Sequence, residues 1–204
     1  SVRKAAGNPD HAFSQFAVGN LETLENTEDN PLRPDLIRFW EENYSANIMT
    51  LAVYGPQPLD ELERMVQERF GAIANRNLEP KVHPHPLYDT SRLPEKVTAE
   101  TLKDNRSMTL SFPIPSQQRY YKSKPAAYVA NLLGHEGPGS LFDVLKRAGM
   151  VESLSAGTGM DTGEHATLDI SMSLTREGLE HQDEIIALTF EYIDRIRDNG
   201  ISQQ

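Results

Sequence analysis

The chain has no cysteine, a single tryptophan, and a shortage of positive charge. Without cysteine there are no disulfides, no thiolate metal ligands and no thiol nucleophile. That absence suits cytosol and periplasm alike. No apolar run approaches the roughly 18 residues a membrane helix requires. The opening residues, Ser1-Val2-Arg3-Lys4-Ala5-Ala6-Gly7, lack the apolar centre of a signal peptide. They do not begin with Met, which points to a trimmed or excised segment. Lys and Arg number 20 against 30 Asp and Glu, a net charge of −10. Such a balance argues against nucleic acid, which calls for basic stripes. It favours solubility and is compatible with a basic or neutral polypeptide partner. With 204 residues and 38% hydrophobic content, the chain can form one large domain or two small ones.

Hydrophobic spacing predicts a helix over 34–44, with Leu36, Ile37, Phe39 and Trp40 on one face, then a strand over 47–54. A second amphipathic helix covers 59–70, with Gly71 as its C-cap. Residues 75–94 hold Pro80, Pro84, Pro86 and Pro94, the composition of an extended linker, with His83 and His85 as solvated members. This divides the chain into 1–74, a linker over 75–94, and 95–204. Beyond the linker, 96–103 and 107–114 read as a hairpin turning at Asp104-Asn105. Helices over 124–133 and 140–147, strands over 151–159 and 166–174, and a long helix over 177–197 capped by Thr175 complete the order. The pattern predicts an α+β fold: a mostly antiparallel sheet with helices packed on one face.

Most candidate chemistry fails on context. No G-x-S-x-G elbow or phosphate loop is present, and His11, His165 and His181 are isolated. His135-Glu136 looks metallic, but a helical zinc motif needs a second His one turn away, where this chain has Asn131 and Gly139. Three glycines and Pro138 break any helix there. The segment 134–140 therefore reads as a tight corner with one carboxylate at its edge. The following strand is rich in small residues, Ser153, Ser155, Ala156, Gly157 and Gly159, which let another backbone approach closely. Together they describe a peptide-docking site. Backbone groups of Leu154, Ser155, Ala156 and Gly157 would pair with an extended chain. The Gly134 carbonyl and Glu136 carboxylate would hold its terminal ammonium. The plain structural alternative is a helix–helix turn beside a weak edge strand.

These residues also carry a family likeness. Asn8-Pro9-Asp10-His11-Ala12-Phe13-Ser14-Gln15-Phe16 with Gly19-Asn20, Tyr44-Ser45-Ala46-Asn47-Ile48-Met49, Phe112-Pro113-Ile114-Pro115, Tyr120-Tyr121-Lys122-Ser123 and Leu174-Thr175-Arg176-Glu177-Gly178-Leu179 occur in order along the chain. They resemble the insulinase family of zinc metallopeptidases, that of insulin-degrading enzyme and pitrilysin. The resemblance implies an internal segment of a zinc metalloendopeptidase: the end of a catalytic-type domain without its zinc ligands, a linker, and the start of a second, non-catalytic domain. It implies zinc in the parent protein and none in this segment, which alone would be inactive. The segment would supply a substrate-anchoring exosite at Gly134, Glu136 and Leu154, and chamber wall. Ala156, Ala127, Ala130 and Asn131 depart from the family pattern of Gly, His, Gly and His. Expected partners are a peptide with a free N-terminus and the remaining domains of the parent, with self-association of the isolated piece. Two other readings stand beside this one: a non-catalytic structural subunit of the same family, and an independent peptide-binding module.

Overall fold

The computed structural model describes residues 4, 6–14, 18–27, 31–82, 85–101 and 103–200. Two compact units divide it: Ala12–Pro84, and a larger one built from the described residues of Ser1–His11 and His85–Gln204.

The smaller unit carries α1 (Leu32–Asn43) and α2 (Leu59–Phe70). Pro34 lies in the first turn of α1, where its missing N–H costs no helical bond. The predicted apolar face of Leu36, Ile37, Phe39 and Trp40 stays about half exposed, although the Arg76 guanidinium stacks 4.1 Å over the Trp40 ring. Gly71 caps α2 but in a right-handed conformation (φ −62°, ψ −18°), so its freedom to turn left-handed is unused. The strand predicted over 47–54 is not formed. Ala46–Ile48 is a 3-10 turn, and residues 49–55 form no ladder among the described residues. A strand needs a partner, and among the described residues none pairs with this one.

The larger unit is an α+β layer. Its strands β1 (Ser107–Pro115), β2 (Val151–Asp161) and β3 (His165–Leu174) form one antiparallel sheet in the order β1-β3-β2. Helices α3 (Pro125–Leu133), α4 (Leu141–Arg147), α5 (Arg176–Glu180) and α6 (Gln182–Asn199) accompany it. The core lies on one face, where Leu133, Leu141, Leu145, Leu154, Ile170, Met172, Leu174 and Ile185 pack together. Met108, Leu110 and Phe112 alternate inward from β1, the face that the sequence assigns them.

The predicted hairpin of 96–103 with 107–114 does not form among the described residues, which exclude Leu102. Asp104-Asn105 does bend, with the Asn105 N–H donating to the Lys103 carbonyl at 2.7 Å. Yet β1 pairs instead with β3 along its whole length. The long helix predicted over 177–197 is divided at His181 (φ −110°, ψ 33°). Its start is pinned by close approach: a methyl group on Gly178 would lie only 1.9 Å from the Met150 carbonyl oxygen. Thr175 caps it as expected, accepting from the Gly178 N–H at 2.9 Å, and also donates to the Gly149 carbonyl at 2.7 Å. Of the Pro-rich stretch, Leu87 and Tyr88 are buried rather than solvated, because Asn8 fastens that segment through its N–H to the Leu87 carbonyl (2.9 Å). His85 is exposed, and His83 lies outside the described residues. No helix among the described residues is long and apolar enough to cross a membrane.

Candidate functional site

The corner over 134–140 joins α3 to α4 and is fastened by local bonds. The Gly134 N–H closes α3 on the Ala130 carbonyl at 2.8 Å. The His135 Nδ1 accepts the Gly137 N–H at 2.7 Å, which leaves the ring proton of neutral His135 on Nε2. Gly139 takes φ +79°, the single left-handed residue the turn needs. Ser140 then caps α4 by accepting from the Asp143 N–H (3.1 Å), while Asp143 accepts from the Gly139 N–H (2.8 Å) and pairs with Arg147 (2.8 Å).

This donor set does not suit zinc. The Nδ1 of His135 is already engaged, the neighbouring helical positions are Asn131 and Gly139, and no group of three His, Cys, Asp or Glu clusters among the described residues. Glu136 is exposed, and its carboxylate has no ion-pair or hydrogen-bond partner among the described residues.

The corner abuts β2. A methyl group on Gly134 would stand 3.2 Å from the Ala156 nitrogen and 3.6 Å from its Cβ. Glycine is thus what lets the end of α3 meet the strand. Of the predicted site residues, the structure brings Gly134 and Ala156 into direct contact, with Glu136 two residues farther along the corner.

The direction of each backbone group on β2 follows from the ladder. The Leu174 N–H donates toward β1, to the Arg106 carbonyl (2.8 Å), and the Thr175 N–H toward β2, to the Met150 carbonyl (3.1 Å). Even-numbered residues of β3 therefore serve β1 and odd-numbered ones serve β2. In the observed register Ser153 faces Ser173, Ser155 faces Ser171 and Gly157 faces Asp169. These three spend their backbone groups on β3. Leu154, Ala156 and Thr158 direct theirs to the outer edge, where no further strand pairs among the described residues. The Leu154 side chain is meanwhile buried in the core, and Ser155 presents its hydroxyl on the opposite, exposed face. Thr158 was absent from the sequence-derived set, because strand parity depends on the partner's register and not on residue type.

At the far end of the hairpin the β2 ladder shifts register between Thr158 and Asp161. Gly159 crosses so close to β3 that a methyl group there would lie 2.2 Å from the Asp169 carboxylate. The Asp161 carboxylate accepts from Ser116 Oγ (2.8 Å), the Gln117 N–H (2.8 Å) and the Gly163 N–H (2.9 Å), tying the end of β1 to the β2–β3 turn. Partial burial pushes its pKa up, but these hydrogen bonds outweigh it and hold the carboxyl below its ordinary 3.8.

Insulin-degrading enzyme of Drosophila melanogaster is 40% identical over 202 residues, covering 98% of this chain and 20% of that protein. The Homo sapiens enzyme of the same name is 39% identical, again over 98% of this chain and 20% of its own length. The crystal structure of pitrilysin superposes with a TM-score of 0.83 at 31% identity, covering 98% of this chain and 22% of that one. The chain thus spans about a fifth of the length of the curated relatives it matches. Residues 32–204 match the family described as the peptidase M16 inactive domain, and the chain belongs to that family.

Proposed function

We propose that this chain is the substrate-anchoring part of a zinc-dependent metalloendopeptidase, holding peptides that are cut elsewhere in the parent protein. The observation that carries this is the junction of the Gly134 corner with the open edge of β2. Leu154, Ala156 and Thr158 offer backbone donors and acceptors along that edge, as strand addition requires. The corner lies beside this edge, since a methyl group on Gly134 would stand 3.2 Å from the Ala156 nitrogen, and an added strand would bring its end to the corner. A chain that ends presents a terminus. The Gly134 carbonyl and the unpartnered Glu136 carboxylate are both acceptors, which selects an ammonium, the free N-terminus of a peptide. Ser155 contributes its hydroxyl and not its backbone.

In this reading the metal is held outside these 204 residues, and the chain's own residues bind and orient. Anchoring raises the effective concentration of the remaining peptide at a distant site without new chemistry. The outer sheet face supplies chamber wall: Ser107, Thr109, Ser111, Ser153, Ser155, Ser171 and Ser173 share it and are small, polar and uncharged. The exposed Leu36–Trp40 face meets another domain of the parent, and in the isolated chain it drives self-association.

Calorimetric titration with one peptide, free and N-acetylated, tests the anchor. Acetylation removes both charge and donors and is expected to weaken binding at least about tenfold. Glu136→Ala is expected to weaken the free peptide by about three- to fivefold and leave the acetylated one unchanged. Equal affinity for the two peptides would overturn the reading.

A further inference from the structure

The chain is acidic overall, yet from Arg106 to His135 it contains no Asp or Glu. Within that run Arg119, Lys122 and Lys124 lie exposed at the start of α3, and none has a carboxylate partner among the described residues. Aromatic rings stand among them. The Arg119 guanidinium lies 4.7 Å from the Tyr120 ring centre and Lys122 Nζ lies 5.7 Å from that of Tyr121. Tyr121 is 66% exposed and Tyr128, on the first turns of α3, is 48% exposed. Rings this exposed leave one face for a partner while holding the cations in place with the other.

We infer that this patch is a second binding surface for the peptide anchored at the corner, and that it takes acidic side chains. The inference rests on the anchoring reading above. The two surfaces lie toward opposite ends of one helix: the patch precedes α3, with Lys124 as its N-cap, and Gly134 closes it. The nine residues of α3 span about 13 Å, which an extended peptide covers in about four residues. A peptide held by its ammonium at Gly134 and Glu136 and running along the β2 edge past Thr158 heads for the Asp161 end, where the Gln117 N–H donates to Asp161, and so brings about its fourth to sixth residues to Arg119, Lys122 and Lys124. Charge complementarity selects Asp or Glu there, and Lys or Arg at those positions meets repulsion. The two ends of α3 thus read opposite charges, a cation at the corner and an anion at the patch.

Fluorescence anisotropy with the 204-residue chain and ten-residue peptides with free N-termini tests this. The peptides differ only at positions four to six, carrying Glu, Gln or Lys. The Glu peptide is expected to bind about 3- to 10-fold more tightly than the Lys peptide at low salt, and the difference to shrink at high salt. The Arg119→Glu, Lys122→Glu double variant, whose sites are exposed, is expected to reverse the order while still requiring a free N-terminus. Equal affinity across the three peptides, with acetylation still abolishing binding, would overturn the patch and leave the anchor standing. A preference that survives charge reversal would overturn it too. So would salt-sensitive self-association, lost on reversal, with no peptide discrimination, because the patch would then serve a second copy. Failure of both free and acetylated peptides to bind would overturn anchor and patch together.

Discussion

The two edges of one sheet are built differently here. On β1, even-numbered residues bond to β3, so the odd-numbered ones face outward, and two of those are Pro113 and Pro115. Proline at an outward position loses no ladder bond and removes the donor another strand would need. On β2, the outward residues are Leu154, Ala156 and Thr158, all of which keep their N–H groups. A corner with a free carboxylate stands beside them. One edge is closed by the chemistry of its own backbone, and the other keeps its donors and meets no further strand among the described residues. Edge exposure is a hazard that proteins ordinarily suppress, and the anchor proposed above rests on this contrast.

The largest effect comes from removing what both edges share. Ile170 is fully buried on the central strand, opposite Leu110 of β1 and Ala156 of β2. Ile170→Ala is expected to cost about 2–5 kcal/mol by denaturant unfolding and to abolish any difference between the edges. Next is a substitution that makes β2 resemble β1. Thr158→Pro removes an outward N–H without touching the β3 ladder, and should weaken peptide binding about 3- to 10-fold while the chain stays folded. Unchanged affinity would mean that the β2 edge is not used.

Smaller still is the effect of acid. Asp161 fastens β1 to the β2–β3 turn with its carboxyl held below its ordinary 3.8. A depressed carboxyl stabilises the fold fully above its unfolded value, and that contribution is lost as pH falls through the lower folded value. Thermal unfolding followed downward from about pH 5 should therefore show a decline that Asp161→Asn flattens. An identical slope in the two proteins would assign the acid sensitivity elsewhere.

Much of this was legible in the residues and some of it was not, for definite reasons. The alternation of Met108, Leu110 and Phe112 marks the inward face of β1 because side-chain direction in a strand depends on the chain itself. Glycine and proline mark the 134–140 corner for a similarly local reason: Gly139 adopts the left-handed conformation. Thr175 caps its helix because the cap involves only the next three residues. Pairing is a different matter. Nothing local tells β1 to choose β3 over 96–103, and the outward placement of Pro113 and Pro115 matters only once that choice is made. The same holds for Ser155 and Thr158, whose roles exchange with ladder parity. The predicted strand over 47–54 fails on the same ground, since β propensity supplies no partner. His181, where the long helix divides, follows a helix start held by Gly178 against Met150, a contact between residues far apart in sequence.

Residue-resolved amide hydrogen exchange, with and without a peptide bearing a free N-terminus, tests the contrast most directly. Protection is expected to rise at Leu154, Ala156 and Thr158 and to stay unchanged at Ser107, Thr109 and Ser111 on the outer edge of β1. Protection gained on β1 instead, or on neither edge while the peptide is bound, would contradict the account.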